Sequence, residues 1–137
     1  MSLPRAARFT HLLRVYWEDT DAGGVVFYAN YLKFFERART EWLRSSGHSQ
    51  QAMADSTGAI FVVTETRVRY LKPARLDDEL LITVDPVELG RARMVVAQQA
   101  WRGDTLLCEG EIAIACVDRG TFRPRRIPND ILPHPTE

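Results

Sequence analysis

Only one stretch of this chain carries a long helical period, and the rest of the fold has to be built around it. From about Ala29 to Ser46, Tyr31, Phe34, Phe35, Ala38, Trp42 and Leu43 fall near one face, while Lys33, Arg37, Arg39, Glu41 and Arg44 take the remainder. Gly47 stands where such a helix stops. A weaker helical or irregular piece follows near residues 49–57. Elsewhere the period is two. Residues 9–16 alternate, with Phe9, His11, Leu13 and Val15 on one side. From Phe61 to Leu71, Val62, Thr64, Thr66, Val68 and Tyr70 alternate with Val63, Glu65, Arg67 and Arg69, the pattern of a half-buried strand. Leu80, Ile82 and Val84 open another strand, and Met94 to Trp101 and Leu106 to Val117 supply two more across the turn-like Arg102-Gly103-Asp104. The count is about five strands. One helix with a single apolar face and a run of strands with one apolar face each satisfy one another only if the sheet wraps around the helix. That predicts an α+β fold.

At 137 residues, 45% of them hydrophobic, the chain suits a single domain with one core, spanning 1–137 with about 9–128 as its body. The stretch after Ile127 holds three of the seven prolines and is expected to wrap the surface or fray. Lys+Arg 18 balances Asp+Glu 18, so there is no global basic field and no expectation of a nucleic-acid partner. A local basic pocket remains open. No apolar run approaches the roughly 18 residues of a membrane span, and the start from Met1 to Arg8 has positive charge without an apolar segment. The chain reads as cytoplasmic. Cys108 and Cys116 lie in one strand pattern, where eight steps of about 3.3 Å hold them roughly 26 Å apart, so both are expected as buried thiols. His11, His48 and His134 are scattered, and no cluster at ligand spacing accompanies them, so no metal is expected.

The chemistry concentrates where the helix begins. Tyr16-Trp17-Glu18-Asp19-Thr20-Asp21-Ala22-Gly23-Gly24-Val25-Val26 sets acids and a Gly-Gly break directly before the helical pattern. A helix start offers unpaired backbone N–H groups and the positive end of a dipole, a place suited to developing negative charge. Asp-x-Asp before glycines also opens calcium loops. From Asp19, however, the fifth position is Gly23 and the twelfth is Asn30, where such a loop requires a bidentate Glu. A plain capped turn is the other reading of these residues.

Arg14-Val15, Asp19-Thr20-Asp21, Gly24-Val25-Val26 and Tyr31 resemble, at these spacings, the signature of the 4-hydroxybenzoyl-CoA thioesterase group of hotdog-fold proteins. The run Glu18–Val26, the segment Phe35-Glu36-Arg37-Ala38-Arg39-Thr40-Glu41 and Pro73-Ala74-Arg75-Leu76-Asp77-Asp78 are more specifically similar to the Tol-Pal-associated, YbgC-type acyl-CoA thioesterases, over about Arg14 to Pro128. The resemblance implies a hotdog fold, an antiparallel sheet curled around the long helix, assembled as a homodimer or homotetramer. It implies an acyl-CoA thioesterase without metal or cofactor, CoA being part of the substrate, with Asp21 as nucleophile or general base and the backbone N–H of Tyr28 polarising the carbonyl. Some YbgC-type members carry His where this chain has Tyr28, which leaves no imidazole here but leaves the main-chain donor intact. Asp19 is expected as a structural cap, and Glu36 either approaches the site or pairs with a nearby Arg.

For the substrate, Phe61, Val62 and Thr64 are candidates to line an acyl pocket, with core packing as the other reading. Arg91, Arg93, Arg123, Arg125 and Arg126 are candidates for a basic rim holding CoA phosphates, with solvated surface charge as the alternative. Two further functions stay open on the residues: a thioesterase acting on acyl carrier protein, and a non-catalytic acyl-thioester-binding or scaffold protein of lipid or envelope machinery. A hydratase is disfavoured because no His stands beside Asp21.

Overall fold

The computed structural model describes residues 9–47, 49–128 and 131; the first eight residues, His48, His134 and most of the proline-containing end lie outside the described residues. The elements are β1 (Phe9–Arg14), a 3-10 turn (Trp17–Asp19), α1 (Asn30–Arg44), α2 (Gln50–Thr57), β2 (Ala59–Tyr70), β3 (Glu79–Leu89), β4 (Arg93–Arg102) and β5 (Thr105–Asp118). All five strands form one antiparallel sheet in the order β1-β3-β4-β5-β2. The α+β expectation holds.

The six apolar positions read at helical spacing are the buried residues of α1. They meet Leu13 and Val15 of the first strand and its extension, Leu80, Ile82 and Val84 of β3, Met94 and Val96 of β4, and Leu107, Ile112 and Ile114 of β5. Each large side chain so buried contributes about 1.5–3 kcal/mol of transfer free energy, enough to fix the helix against the sheet. The helix ends at Arg44, and Gly47, at φ 90°, takes the left-handed conformation that turns the chain away. Ser49 caps α2 by accepting from the Ala52 N–H at 3.1 Å. Met53, Ala59, Cys116, Ile127 and Ile131 form a second cluster beside it, so the described part of the C-terminal segment packs rather than frays. Both cysteines are buried and free, and burial pushes the Cys108 thiol up to about 12.

Strand β2 departs from its predicted alternation. A register shift between Val63 and Glu65 reverses which side chains face α1. Phe61 and Val63 lie opposite the core residues Cys116 and Ile114, and beyond the bulge Thr66, Val68 and Tyr70 take that face opposite Ile112, Gly110 and Cys108. Val62, paired with Ala115, therefore belongs to the outer face, one residue out of step with the sequence pattern. The strand is also far more exposed than half-buried, from Val63 to Arg67 throughout, because it is an edge strand that, among the described residues, pairs only with β5.

Gly110 shows how tightly that pair is drawn. A Cβ placed there would stand 2.7 Å from the backbone oxygen of Arg67. Gly110→Ala is expected to cost about 1–3 kcal/mol of stability, since backbone rather than a side-chain tip must move. Urea denaturation with an unchanged m-value checks this; a variant as stable as the parent would show that the strands part without cost.

Candidate active site

The loop between β1 and α1 is folded back on itself by its own backbone. The Asp21 N–H donates to the Val25 carbonyl at 2.9 Å, the Gly24 N–H to the Asp21 carbonyl at 3.0 Å, and Thr20 bridges Val26. Gly24 makes the turn at φ 82°. Asp19 is buried and structural: its Oδ2 accepts from the Tyr16 N–H at 2.8 Å, and its carbonyl accepts from the Phe27 N–H at 3.0 Å and from Asn30 Nδ2 at 2.8 Å. Asp21 is the exposed acid, its Oδ1 accepting only the Gly23 N–H at 2.8 Å. Its second oxygen faces no donor among the described residues.

The start of α1 supplies the complementary group. The N–H groups of Asn30, Tyr31 and Leu32 close onto the carbonyls of Phe27, Tyr28 and Ala29. Among the described residues, the N–H groups of Tyr28 and Ala29 have no acceptor. They are the orphan donors of a first helical turn, at its positive end. The Tyr28 ring is exposed and lies edge-on to Tyr70, with centroids 5.9 Å apart.

A second loop braces this arrangement. Val15 exchanges backbone hydrogen bonds with Asp77 and Asp78 at 3.0 and 2.8 Å, Val25 bridges Arg75, and the Val26 N–H donates to the Ala74 carbonyl at 2.9 Å. The Ala74 N–H in turn donates to the buried Tyr31 hydroxyl at 3.2 Å, tying the loop to α1. Asp78 holds the brace to β4. Partial burial alone would raise its carboxyl, but the Arg75 N–H at 2.8 Å and the Arg102 guanidinium at 2.8 Å outweigh burial and hold it below the usual carboxylate range. The sequence marked Pro73–Asp78 through a resemblance but not as a brace, because most of its contacts are backbone to backbone.

A cavity of about 130 Å³ opens between α1 and the edge strand, lined by Glu36, Arg39, Trp42, Leu43, Gln50, Phe61, Val63, Met94 and Ile114. Of the acyl-pocket candidates, Phe61 lines it. Val62 faces away, and Thr64 sits at the bulge with its hydroxyl donating to the Ala113 carbonyl at 3.2 Å. Glu36 accepts from Thr40 Oγ1 at 2.6 Å rather than pairing with an arginine. The sequence placed Trp42 on the apolar face of the helix and Arg39 off it without assigning either to a site, and Gln98 was not singled out. The available signal was Gln98, a polar residue on the core-facing positions Met94, Val96, Gln98 and Ala100.

The candidate rim stands elsewhere. The Ile127 N–H donates to the Arg91 carbonyl at 2.7 Å and the Arg125 N–H to the Cys116 carbonyl at 2.9 Å, which gathers Arg91, Arg125 and Arg126 beside Cys116. Arg93 is paired with Glu88 at 3.2 Å and Arg125 with Asp118 at 3.0 Å, while Arg123 is exposed on the turn between. Tyr70, at the Asp21 end, pairs with Cys108, and eight residues of β5 put roughly 26 Å between that point and the rim. One chain does not bring its rim to its own Asp21. Among the described residues no group of His, Cys, Asp or Glu is placed to hold a metal ion, and no helix is long and apolar enough to cross a membrane.

Known proteins are similar to this chain in sequence and fold. The family model described as "Thioesterase superfamily" matches residues 23–109. An acyl-CoA thioesterase YbgC of Haemophilus influenzae is 40% identical over 123 residues, covering 90% of this chain and 90% of that protein. An acyl-CoA thioester hydrolase YbgC of Escherichia coli is 46% identical over 121 residues, covering 88% and 90%. The crystal structure of a probable thioesterase from Bartonella henselae superposes with a TM-score of 0.83 at 34% identity, covering 87% of this chain and 98% of that one. The chain belongs to the thioesterase superfamily, a family of thioester hydrolases, and has the hotdog fold.

The brace has a pH signature. A carboxyl whose folded pKa lies below its unfolded value stabilises the fold fully above the unfolded value and loses that contribution as pH falls through the folded one. The melting-temperature gap between the protein and its Asp78→Asn variant is therefore expected to be widest above about pH 5 and to close below about pH 4. Thermal melts across that range check it; a gap independent of pH would show that the charge of Asp78 does not hold the loop.

Proposed function

We propose that the protein hydrolyses acyl-CoA thioesters to a free carboxylic acid and CoA in the cytoplasm, with CoA entering as part of the substrate and no further cofactor. One observation carries the reading: an exposed carboxylate, Asp21, lies on the loop that delivers the chain to a helix start where the Tyr28 N–H is unpaired among the described residues. The relatives named acyl-CoA thioesterase and acyl-CoA thioester hydrolase, matched over about nine-tenths of this chain, support the substrate class.

The chemistry follows from those two groups. Oxygen attacks the thioester carbonyl carbon, either the Asp21 carboxylate itself, giving an anhydride that water opens, or a water whose proton Asp21 takes. Both routes put negative charge on the carbonyl oxygen, which the Tyr28 N–H receives at the positive end of α1. Collapse expels the CoA thiolate, a stable enough anion to leave without a dedicated acid. The proton released from water ends on that thiolate.

The basic rim enters through a second copy of the chain. β2 offers twelve residues of unpaired edge, with its Ala59 end at the rim and its Tyr70 end beside the Asp21 loop. Two chains joined antiparallel along β2 set each Ala59 end toward the partner's Tyr70 end, so Arg91, Arg93, Arg123, Arg125 and Arg126 of one chain serve the Asp21 of the other. A dimer is thus the smallest complete enzyme, and a tetramer repeats it.

Asp21→Asn is expected to keep the fold and lower turnover by at least about a hundredfold, because it keeps the shape and removes the nucleophile or base. Tyr28→Phe is expected to cost much less, since the donor is main chain. Thiol release on acyl-CoA checks both; a folded Asp21→Asn variant with parental turnover removes Asp21 from the mechanism.

Charge removal at the rim, as in the pair Arg91→Gln with Arg126→Gln, is expected to raise KM for acyl-CoA and to spare a short thioester lacking the nucleotide. Mixing that double variant with Asp21→Asn and allowing subunits to exchange is expected to restore activity, because one of the two clefts in each mixed dimer is then intact. No recovery after exchange, verified by mass, would mean that each chain carries its own complete site.

A further inference from the structure

The cavity between α1 and β2 holds polar groups that the hydrolytic chemistry does not use. Tyr28, Leu32, Glu36, Arg39 and Leu43 succeed one another at spacings of four, four, three and four residues, so they make one stripe along the helix from the unpaired N–H groups to the cavity. Leu32 is exposed on that stripe, an apolar path between the two. The far wall of the cavity is apolar, with Phe61, Val63, Met94 and Ile114.

One cation, Arg39, stands over this apolar floor. The Arg39 guanidinium is largely withdrawn from water, and that burial lowers its pKa while Glu36 acts the other way. It is held in place by a hydrogen bond at 2.9 Å to the oxygen of Gln98. Gln98 is itself completely buried and pinned by donating to the carbonyls of Phe35 at 3.0 Å and Thr83 at 3.3 Å. The neighbouring carboxylates on α1 are engaged elsewhere, Glu36 with Thr40 at 2.6 Å and Glu41 with Arg44 at 2.8 Å, and Arg39 has no ion pair among the described residues. A desolvated cation held by a neutral amide is costly, and an anionic group within its reach relieves that cost. Arginine favours a carboxylate for that purpose, through its planar fork of donors.

Resting on the acyl-CoA hydrolase reading above, we propose that this cavity receives the far end of the acyl group and selects acyl thioesters that terminate in a carboxylate. Arg39, positioned by Gln98, binds the carboxylate, and the Leu32 stripe carries the intervening methylenes. Glu36 stands at the mouth, exposed and bonded to Thr40, where water screens it from the incoming anion.

The test compares CoA esters of equal chain length, one ending in a methyl group and one in a carboxylate. Parental kcat/KM is expected to favour the carboxylate ester by at least about tenfold. Arg39→Met is expected to abolish that ratio and Arg39→Lys to retain part of it. A parental ratio of one, or a preference for the methyl ester, overturns the assignment while leaving the hydrolase intact. An unchanged ratio in Arg39→Met together with a fall in mass by light scattering assigns Arg39 to the contact between subunits and overturns it too. If neither ester is hydrolysed, the hydrolase reading has failed, and calorimetry decides the cavity independently. There the free dicarboxylic acid must bind more tightly than the monocarboxylic acid of equal length, and equal affinity ends the proposal.

Discussion

The burial of one helix face against one sheet face governs the rest of this structure. Phe34, Phe35, Ala38 and Trp42 hold α1 against β3, β4 and β5, so the position of the first helical turn is set by core packing rather than by the loop that leads into it. An N–H group left without an acceptor is useful only if it stays where it is, because donors that must reorganise during a reaction lose much of their effect. The core supplies that fixity for Tyr28 and Ala29. The Tyr31 hydroxyl extends it to the neighbouring loop through Ala74, one residue past the turn it stabilises.

Around that fixed turn, the two acids of the loop divide the work by their surroundings. Asp19 is buried and saturated, receiving the Tyr16 N–H on its side chain and two further donors on its carbonyl, so it shapes the loop. Asp21, two residues on, meets a single backbone donor and water. The difference arises from the hairpin closed by Gly24, which turns one side chain inward and leaves the other outside.

What could be read from the sequence was what depends on periodicity. The six apolar residues of α1 are buried as their spacing requires, and the five strands and the turn at Gly103 fall where alternation and turn residues put them. Alternation failed within β2, since a bulge adds one residue to one strand and nothing in Val62-Val63-Thr64 marks it. Asp19 could be recognised as a cap, but the bracing role of Pro73–Asp78 could not, because backbone contacts leave little trace in residue identity. The rim arginines were visible as basic residues. Their distance from Asp21 was not, since it depends on which end of β5 each loop returns to.

That distance bears on why so small a domain works as it does. A sheet that ends in a long, bulged and largely exposed edge strand leaves Phe61 and Val63 half covered, and leaves the cavity beside Arg39 with one wall missing. The Asp21 loop lies at one end of the same edge and the arginine segment at the other, in a sheet too long for a single chain to join them. The proposed pairing along β2 would complete the ladder, cover the apolar side chains and bring opposite ends together, so one contact would meet three needs at once. Gln98 marks the limit of what apolar packing alone could do here. Holding a guanidinium at the inner surface of a sheet requires a buried amide whose own donors are satisfied, and the carbonyls of Phe35 and Thr83 satisfy them. A core selected for packing alone would place an aliphatic residue at that position. Here the position holds an amide, pinned on one side by those carbonyls and bonded to Arg39 on the other.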